Sequence, residues 1–169
     1  LAAISGVTVE EYDSPPKGDR HPLAFEVPAL AGHSANAAAW ADVLAPGSAS
    51  VVARYTREFY AGRPAITLNE TAGGGRVLYV GTLGEAELFD TLAPWVLELA
   101  GVTPLLDTPD GVEAAARWQG GQRLLFLLNH TDGEQTVSLD GAYRNLLDGE
   151  EVARTLSLPP YGVAILTGA

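Results

Sequence analysis

Short apolar segments dominate the second half of the chain, and the clearest of them is the unbroken run at residues 124–128. Five apolar residues are too few for a helix of ordinary length, and turn-forming residues bound the run. Gly120-Gly121 precedes it, and Asn129 to Gly133 follow it. The pattern predicts a strand buried on both faces, and we interpret it as the spine of a small all-β domain.

Turn signals recur at close spacing on either side of that run. Asp-Gly pairs stand at positions 110, 132, 140 and 148. The segments between such turns alternate in polarity and predict strands at 112–118, 123–129, 135–139, 152–158 and 162–166. Repeated short strands with turn residues between them are typical of an antiparallel β-sandwich.

The first half of the chain mixes strand-like and helix-like spacing. Alternation predicts strands at 7–12, 23–27 and 49–55, and a hairpin formed by 63–69 and 76–81 around Gly73-Gly74-Gly75. Apolar residues at helical spacing predict a helix at 34–44, with Ser34 as its N-cap and Trp40 on its buried face.

A second predicted helix follows Thr82-Leu83-Gly84-Glu85, which has the form of a capping box. Its buried stripe comprises Leu88, Leu92, Trp95, Val96 and Leu99, and Gly101 ends it. Pro94 predicts a kink or a division into two short helices.

Prolines and aspartates at residues 104–110 separate the two patterns and predict a domain boundary. The sequence therefore predicts an α/β domain over residues 1–105 and a small antiparallel β-sandwich over residues 109–169.

Composition excludes several functions. The net charge is −11, so nucleic acid and anionic membranes are not expected partners. The chain has no cysteine, which excludes disulfides and thiolate chemistry. It begins with Leu and contains no Met, so we expect a segment of a longer polypeptide, and its Arg, Ala and Gly bias suggests a bacterial source.

Four stretches of this sequence are similar to family 42 β-galactosidases. Residues 53–65 and 75–82 resemble that family's middle domain, whereas 126–131 and 158–164 resemble its C-terminal β domain. The resemblance implies a cytoplasmic enzyme that cleaves terminal β-galactosides with retention, using two glutamates on a TIM barrel. It also implies that the first domain is part of a trimerisation domain with a flavodoxin-like, class I amidotransferase-like fold.

A TIM barrel needs about 250 residues, so the catalytic glutamates are expected outside this chain. The acidic neighbours that are present, Glu10-Glu11, Glu85 with Glu87, and Glu150-Glu151, are interpreted as solvated surface. We therefore predict a non-catalytic assembly segment with no catalytic residue, no cofactor and no metal. Its partners would be the missing barrel and further copies of the chain in a trimer.

Two alternatives remain open. Gly32-His33-Ser34-Ala35-Asn36 approaches the nucleophile elbow of serine hydrolases, with His130 as the base that lies downstream. The β domain could instead bind carbohydrate, with Trp118 as an exposed stacking platform and Tyr161 as a second one.

The implied truncation also gives a prediction. An α/β domain without its first strands leaves a sheet edge and apolar surface uncovered, so the chain is expected to self-associate.

Overall fold

The computed structural model describes residues 2–168, which divide into two compact units, the first ending at Val102 and the second beginning at Thr103. In the described part of the first unit the strands are β1 (Val7–Asp13), β2 (His21–Phe25), β3 (Ala35–Pro46), β4 (Ser50–Tyr55), β5 (Pro64–Glu70), β6 (Arg76–Val80) and β7 (Thr82–Gly84). The helices are α1 (Ala2–Ser5) and α2 (Ala86–Leu99), and Pro28–Leu30 form a 3-10 turn.

The first unit is built on one antiparallel sheet that closes on itself. Neighbouring strands follow the order β1-β3-β2-β4-β5-β6, and β7 pairs with β3. Because β7 continues β6 after a single residue, the strands β3, β2, β4, β5 and β6–β7 form a closed ring. Strand β1 lies outside this ring and pairs with the second half of β3.

Gly81 is the residue at which the β6–β7 strand passes from one neighbour to the other. Its amide donates to the Ala65 carbonyl at 2.8 Å, and its carbonyl accepts from the Asp42 amide at 2.6 Å and from the Tyr55 hydroxyl at 2.9 Å. A Cβ at this position would meet the Ala65 oxygen at 3.0 Å and the Asp42 Cβ at 3.2 Å. A side chain at this corner would therefore be tightly packed against β3 and β5.

The prediction of an α/β, flavodoxin-like domain is wrong, because the strand pairings of the first unit are antiparallel and the predicted helix at 34–44 is strand β3. Ala35, Ala37, Ala41 and Val43 are buried, and this two-residue period fits a strand. Alanine is a good helix former, so local propensity favoured the helix. Packing inside the ring favoured the strand.

The second predicted helix is confirmed as α2, a single helix that contains Pro94. Leu88, Leu92 and Trp95 are buried against the ring. Gly101 has a φ of 64° and donates its amide to the Glu98 carbonyl at the end of the helix. The capping box is wrong, because Thr82 belongs to β7 and the N-cap residue Glu85 makes no side-chain capping bond.

The strands of the second unit are β8 (Val112–Gln119), β9 (Gln122–Asn129), β10 (Gln135–Asn145), β11 (Glu151–Leu158) and β12 (Val163–Gly168). They form one antiparallel sheet in the order β11-β10-β12-β9-β8, with a register shift in β10 between Ser138 and Ala142. The predicted small, antiparallel, sandwich-like all-β domain is confirmed, and its five strands are joined in one hydrogen-bonded sheet.

The apolar run of β9 differs from its prediction in two respects. Leu125 and Leu127 are fully buried, but Leu124, Phe126 and Leu128 on the opposite face are only half-buried. Strand β12, rather than β9, is the central strand of the five.

Candidate functional site

The outer face of the first unit carries a surface cluster of three aromatic side chains and one carboxylate, which we name the Tyr12 cluster: Tyr12, Trp40, Asp42 and Tyr79. The rings of Tyr12 and Trp40 stack with their centroids 4.8 Å apart and their planes 9° apart. Trp40 donates its indole N–H to Asp42 Oδ1 at 2.8 Å, and the Tyr79 hydroxyl donates to Asp42 Oδ2 at 2.8 Å. Asp42 thus ties two of the three rings together.

Strand register brings these residues together. Tyr12 lies directly opposite Asp42 in the β1–β3 pair, and Trp40 faces Leu83 of β7. Trp40 was expected in a helical core, but 37% of its surface is exposed, and Tyr12 is 63% exposed. Sequence reasoning missed the cluster because it depends on reading residues 35–46 as a strand.

An irregularity in β3 directs Trp40 outward. The pairing of β3 with β7 shifts register on both sides of Ala39, which has a φ of 56°. This left-handed backbone region is unfavourable for residues other than glycine. Bulges of this kind re-aim neighbouring side chains, so the structure accepts local strain at the position next to Trp40.

The Tyr79 hydroxyl is held in its protonated form. Burial disfavours the phenolate, and the bond to the Asp42 carboxylate adds to that effect, which together raise the pKa of Tyr79 to about 12. Tyr79 therefore acts as a hydrogen-bond donor to Asp42 through the neutral range.

A series of polar side-chain contacts inside the first unit links Asp13, Tyr60, His21 and Glu58. The buried Tyr60 donates its hydroxyl proton to Asp13 Oδ2 at 3.1 Å, so His21 Nδ1, 2.9 Å away, must be the N–H that donates to Tyr60. His21 Nε2 lies 3.8 Å from Glu58, whose φ is 67°. Burial and Asp13 raise the pKa of Tyr60, so the phenol stays neutral and serves as a structural link.

The nucleophile elbow at Ser34 is not supported by the fold. An elbow places its serine between a strand and a helix, but Ser34 lies in an exposed loop and is followed by strand β3. His130, the expected base, belongs to the second unit and lies 3.0 Å from Glu113.

Two of the acidic residues that could have suggested glycosidase chemistry, Glu10 and Glu85, have arginine partners. Glu10 pairs with Arg63. Glu85 pairs with Arg20 at 2.7 Å, and this bond lowers the pKa of Glu85. A general acid of a glycosidase needs the opposite shift, toward a raised pKa.

Trp118 and Tyr161, the predicted sugar platforms, are exposed by 70% and 68%. The structure does not bring them together. Trp118 pairs with Arg123 at one end of β9, whereas the Tyr161 amide donates to the Thr131 carbonyl beyond the other end. The six residue steps from Arg123 to Asn129 along the strand span about 20 Å. A site that uses both rings is therefore unsupported, and each ring alone stays a prediction.

The structure also bears on metal ligands, glycosylation sequons and membrane-spanning helices. Among residues 2–168, no group of three or more His, Cys, Asp or Glu side chains is placed to hold a metal ion. Asn69 and Asn129, which begin two glycosylation sequons, are buried and use their amide nitrogens to bond backbone carbonyls. No helix in the described part of the chain is long and apolar enough to cross a membrane.

Comparison with known protein families gives two matches in series. Residues 1–103 match the model of the β-galactosidase trimerisation domain, and residues 111–168 match that of the β-galactosidase C-terminal domain.

Individual relatives agree with these matches. A β-galactosidase of Heyndrickxia coagulans is 35% identical over 164 residues, covering 96% of this chain and 24% of that protein. One from Planococcus is 42% identical over 126 residues, covering 74% and 18%. The crystal structure of the β-galactosidase of Bacillus circulans sp. alkalophilus superposes with a TM-score of 0.88 at 33% identity, covering 100% of this chain and 25% of that one. The chain spans about a quarter or less of the length of these relatives.

Proposed function

This chain belongs to the glycoside hydrolase family 42 β-galactosidases, as its sequence resemblance predicted, and on that premise we propose that it is the assembly and accessory segment of a longer β-galactosidase. It corresponds to the non-catalytic trimerisation and C-terminal domains of that family. The observation that carries the proposal is that both domain models match the chain in series. In addition, 96% of this chain aligns with the Heyndrickxia coagulans enzyme, but the alignment covers only 24% of that enzyme.

We assign cleavage of the glycosidic bond to a region of the longer protein that lies outside this chain. In the proposed longer protein, two glutamates on a TIM barrel hydrolyse terminal β-galactosides with retention. Such a mechanism needs two carboxyl groups roughly 5 Å apart, one with a raised pKa. The pairing of Glu10 with Arg63 and of Glu85 with Arg20 supports a structural role for these carboxylates here.

The first unit is proposed to contribute an interface between protomers. Support comes from the description of its family model as a trimerisation domain. Strand β1 adds to this support, because among the described strands it pairs with β3 alone and so has an open edge.

A chimera tests the assembly role. This chain replaces the matching quarter of the Heyndrickxia coagulans enzyme, and sedimentation velocity and galactoside turnover are measured for the parent, the chimera and a deletion that lacks the quarter. We expect the chimera to keep the parent's oligomeric state and the deletion to lose it. A deletion variant that sediments like the parent would refute the assembly role.

A further inference from the structure

We propose that the Tyr12 cluster is a carbohydrate-binding platform, at which the free face of the Tyr12 ring stacks on the apolar face of a galactoside and Asp42 accepts a sugar hydroxyl. The choice of a galactoside rests on the proposed function, whereas the platform itself rests on the geometry of the four side chains.

The ring of Tyr12 is open on one side and supported on the other. Trp40 stacks against one face at 4.8 Å, and the ring is 63% exposed. Trp40 is itself fixed through its N–H to Asp42. A ligand would therefore meet a ring whose orientation is already set, which lowers the entropic cost of binding.

Asp42 retains unused acceptor capacity. A carboxylate offers about four lone-pair positions, and the bonds from Trp40 and Tyr79 occupy one on each oxygen. Sugar hydroxyls are donors that match the positions left over, and hydrogen bonds to an ionised acceptor are stronger than neutral ones. Stacking surface and charged acceptor thus lie within one cluster.

Ring chemistry gives additional support to a galactoside as the ligand. In a galactoside the axial hydroxyl at C4 leaves the C–H bonds of C3, C4 and C5 on one face, which forms a continuous apolar patch. C–H bonds carry partial positive charge and complement the negative face of an aromatic ring. The corresponding glucoside divides these C–H bonds between its two faces and should stack less well.

Two other occupants fit the cluster less well. A cationic side chain is best held where several rings face one point, but here the two exposed rings are parallel within 9° and present one open face. A second copy of this chain would have to bury Asp42, whose carboxylate keeps acceptor positions that an apolar contact would leave unsatisfied.

The indole N–H signals of the three tryptophans provide a direct test. Each signal is assigned in the amide spectrum of the intact chain by its disappearance in Trp40→Phe, Trp95→Phe or Trp118→Phe. Methyl β-galactoside, methyl β-glucoside and arginine amide are then titrated separately. We expect the galactoside to move the Trp40 signal saturably, with a millimolar dissociation constant, and the glucoside to bind more weakly.

Matched variants identify the groups responsible. Tyr12→Ala should weaken galactoside binding by about tenfold, the loss expected when a stacking ring is removed. Tyr12→Phe keeps the ring and should bind like the parent chain. Trp118→Ala removes the other predicted platform, in the second unit, and should leave the response of the Trp40 signal unchanged.

The contrary results are distinct. An unmoved Trp40 signal, equal response to both sugars, a response to arginine amide alone, or a loss of binding in Trp118→Ala but not Tyr12→Ala would each overturn the platform at Tyr12. None of these results would affect the assembly role, which the chimera tests separately.

Discussion

At the scale of single residues, the ionisation of Tyr79 in the Tyr12 cluster makes the folding stability depend on pH. Its folded pKa of about 12 lies above the ordinary value near 10, so the folded state holds this proton more tightly than the unfolded state. The contribution of the Tyr79 proton to the free energy of unfolding is therefore fully present below about pH 10 and is lost as the pH rises through 12. Tyr55 and Tyr60, with raised pKa values caused first by burial, act in the same direction.

We expect Tyr79→Phe to reduce the loss of stability between pH 8 and pH 11. At pH 8 the variant should be less stable by about 1 kcal/mol, because one hydrogen bond to Asp42 is lost. Urea unfolding at both pH values measures this, with Tyr161→Phe as the exposed control. An identical pH dependence in Tyr79→Phe and the parent would contradict the assignment.

Gly81 allows a second residue-scale prediction. Gly81→Ala would place a Cβ 3.0 Å from the Ala65 carbonyl oxygen and 3.2 Å from the Asp42 Cβ, inside the corner that closes the ring. We expect a destabilisation of about 1–3 kcal/mol, as for other overpacked sites, measured by chemical unfolding. Gly73→Ala, where no heavy atom lies within 4 Å of the new Cβ, serves as the control. Equal stability of both variants would show that the corner tolerates a side chain.

At the scale of elements, alternation and turn residues predicted most strands correctly. The β5–β6 hairpin is confirmed, with Gly74 at a φ of 78° in its loop, and so are β1, β4 and α2. Strand β3 was not predictable, because its alanines suit both a helix and the crowded inner side of a ring, and only the neighbouring strands decide between them.

The Tyr12 cluster and the closure of the ring both depend on strand β3. Neither could be predicted, because residues 34–44 were predicted to be a helix. Tyr12 and Trp40 are 28 positions apart in the sequence, and the contact between them requires both the β1–β3 register and the bulge at Ala39. Strand spacing predicted the small all-β second unit, but it does not determine the order of the five strands within the sheet.

Helix α2 gives the prediction at this scale. Leu88 is fully buried in the core of the first unit, whereas its neighbour Phe89 is 49% exposed. Leu88→Ala should cost about 2–5 kcal/mol through lost burial and the cavity it leaves. Phe89→Ala should cost much less. Unfolding curves that show the reverse order would mean that the helix packs through a different face.

At the scale of the whole molecule, the sequence identified the family but not the fold of its first unit. The resemblance is confirmed by both family models, yet the flavodoxin-like architecture that it implied is contradicted by the closed antiparallel sheet. Family likeness was carried by local motifs such as residues 53–65, which the structure places across β4, the following loop and the start of β5. Residues 53–65 therefore cover one strand-to-strand connection and leave the order of the other strands undetermined.

The central claim is that this chain builds scaffold and leaves hydrolysis to residues elsewhere. Turnover of a chromogenic β-galactoside by the purified chain, compared with an equal amount of the Heyndrickxia coagulans β-galactosidase, tests it most directly. We expect no release of chromophore above the rate in buffer. Turnover that rises in proportion to chain concentration and is competed by galactose would contradict it.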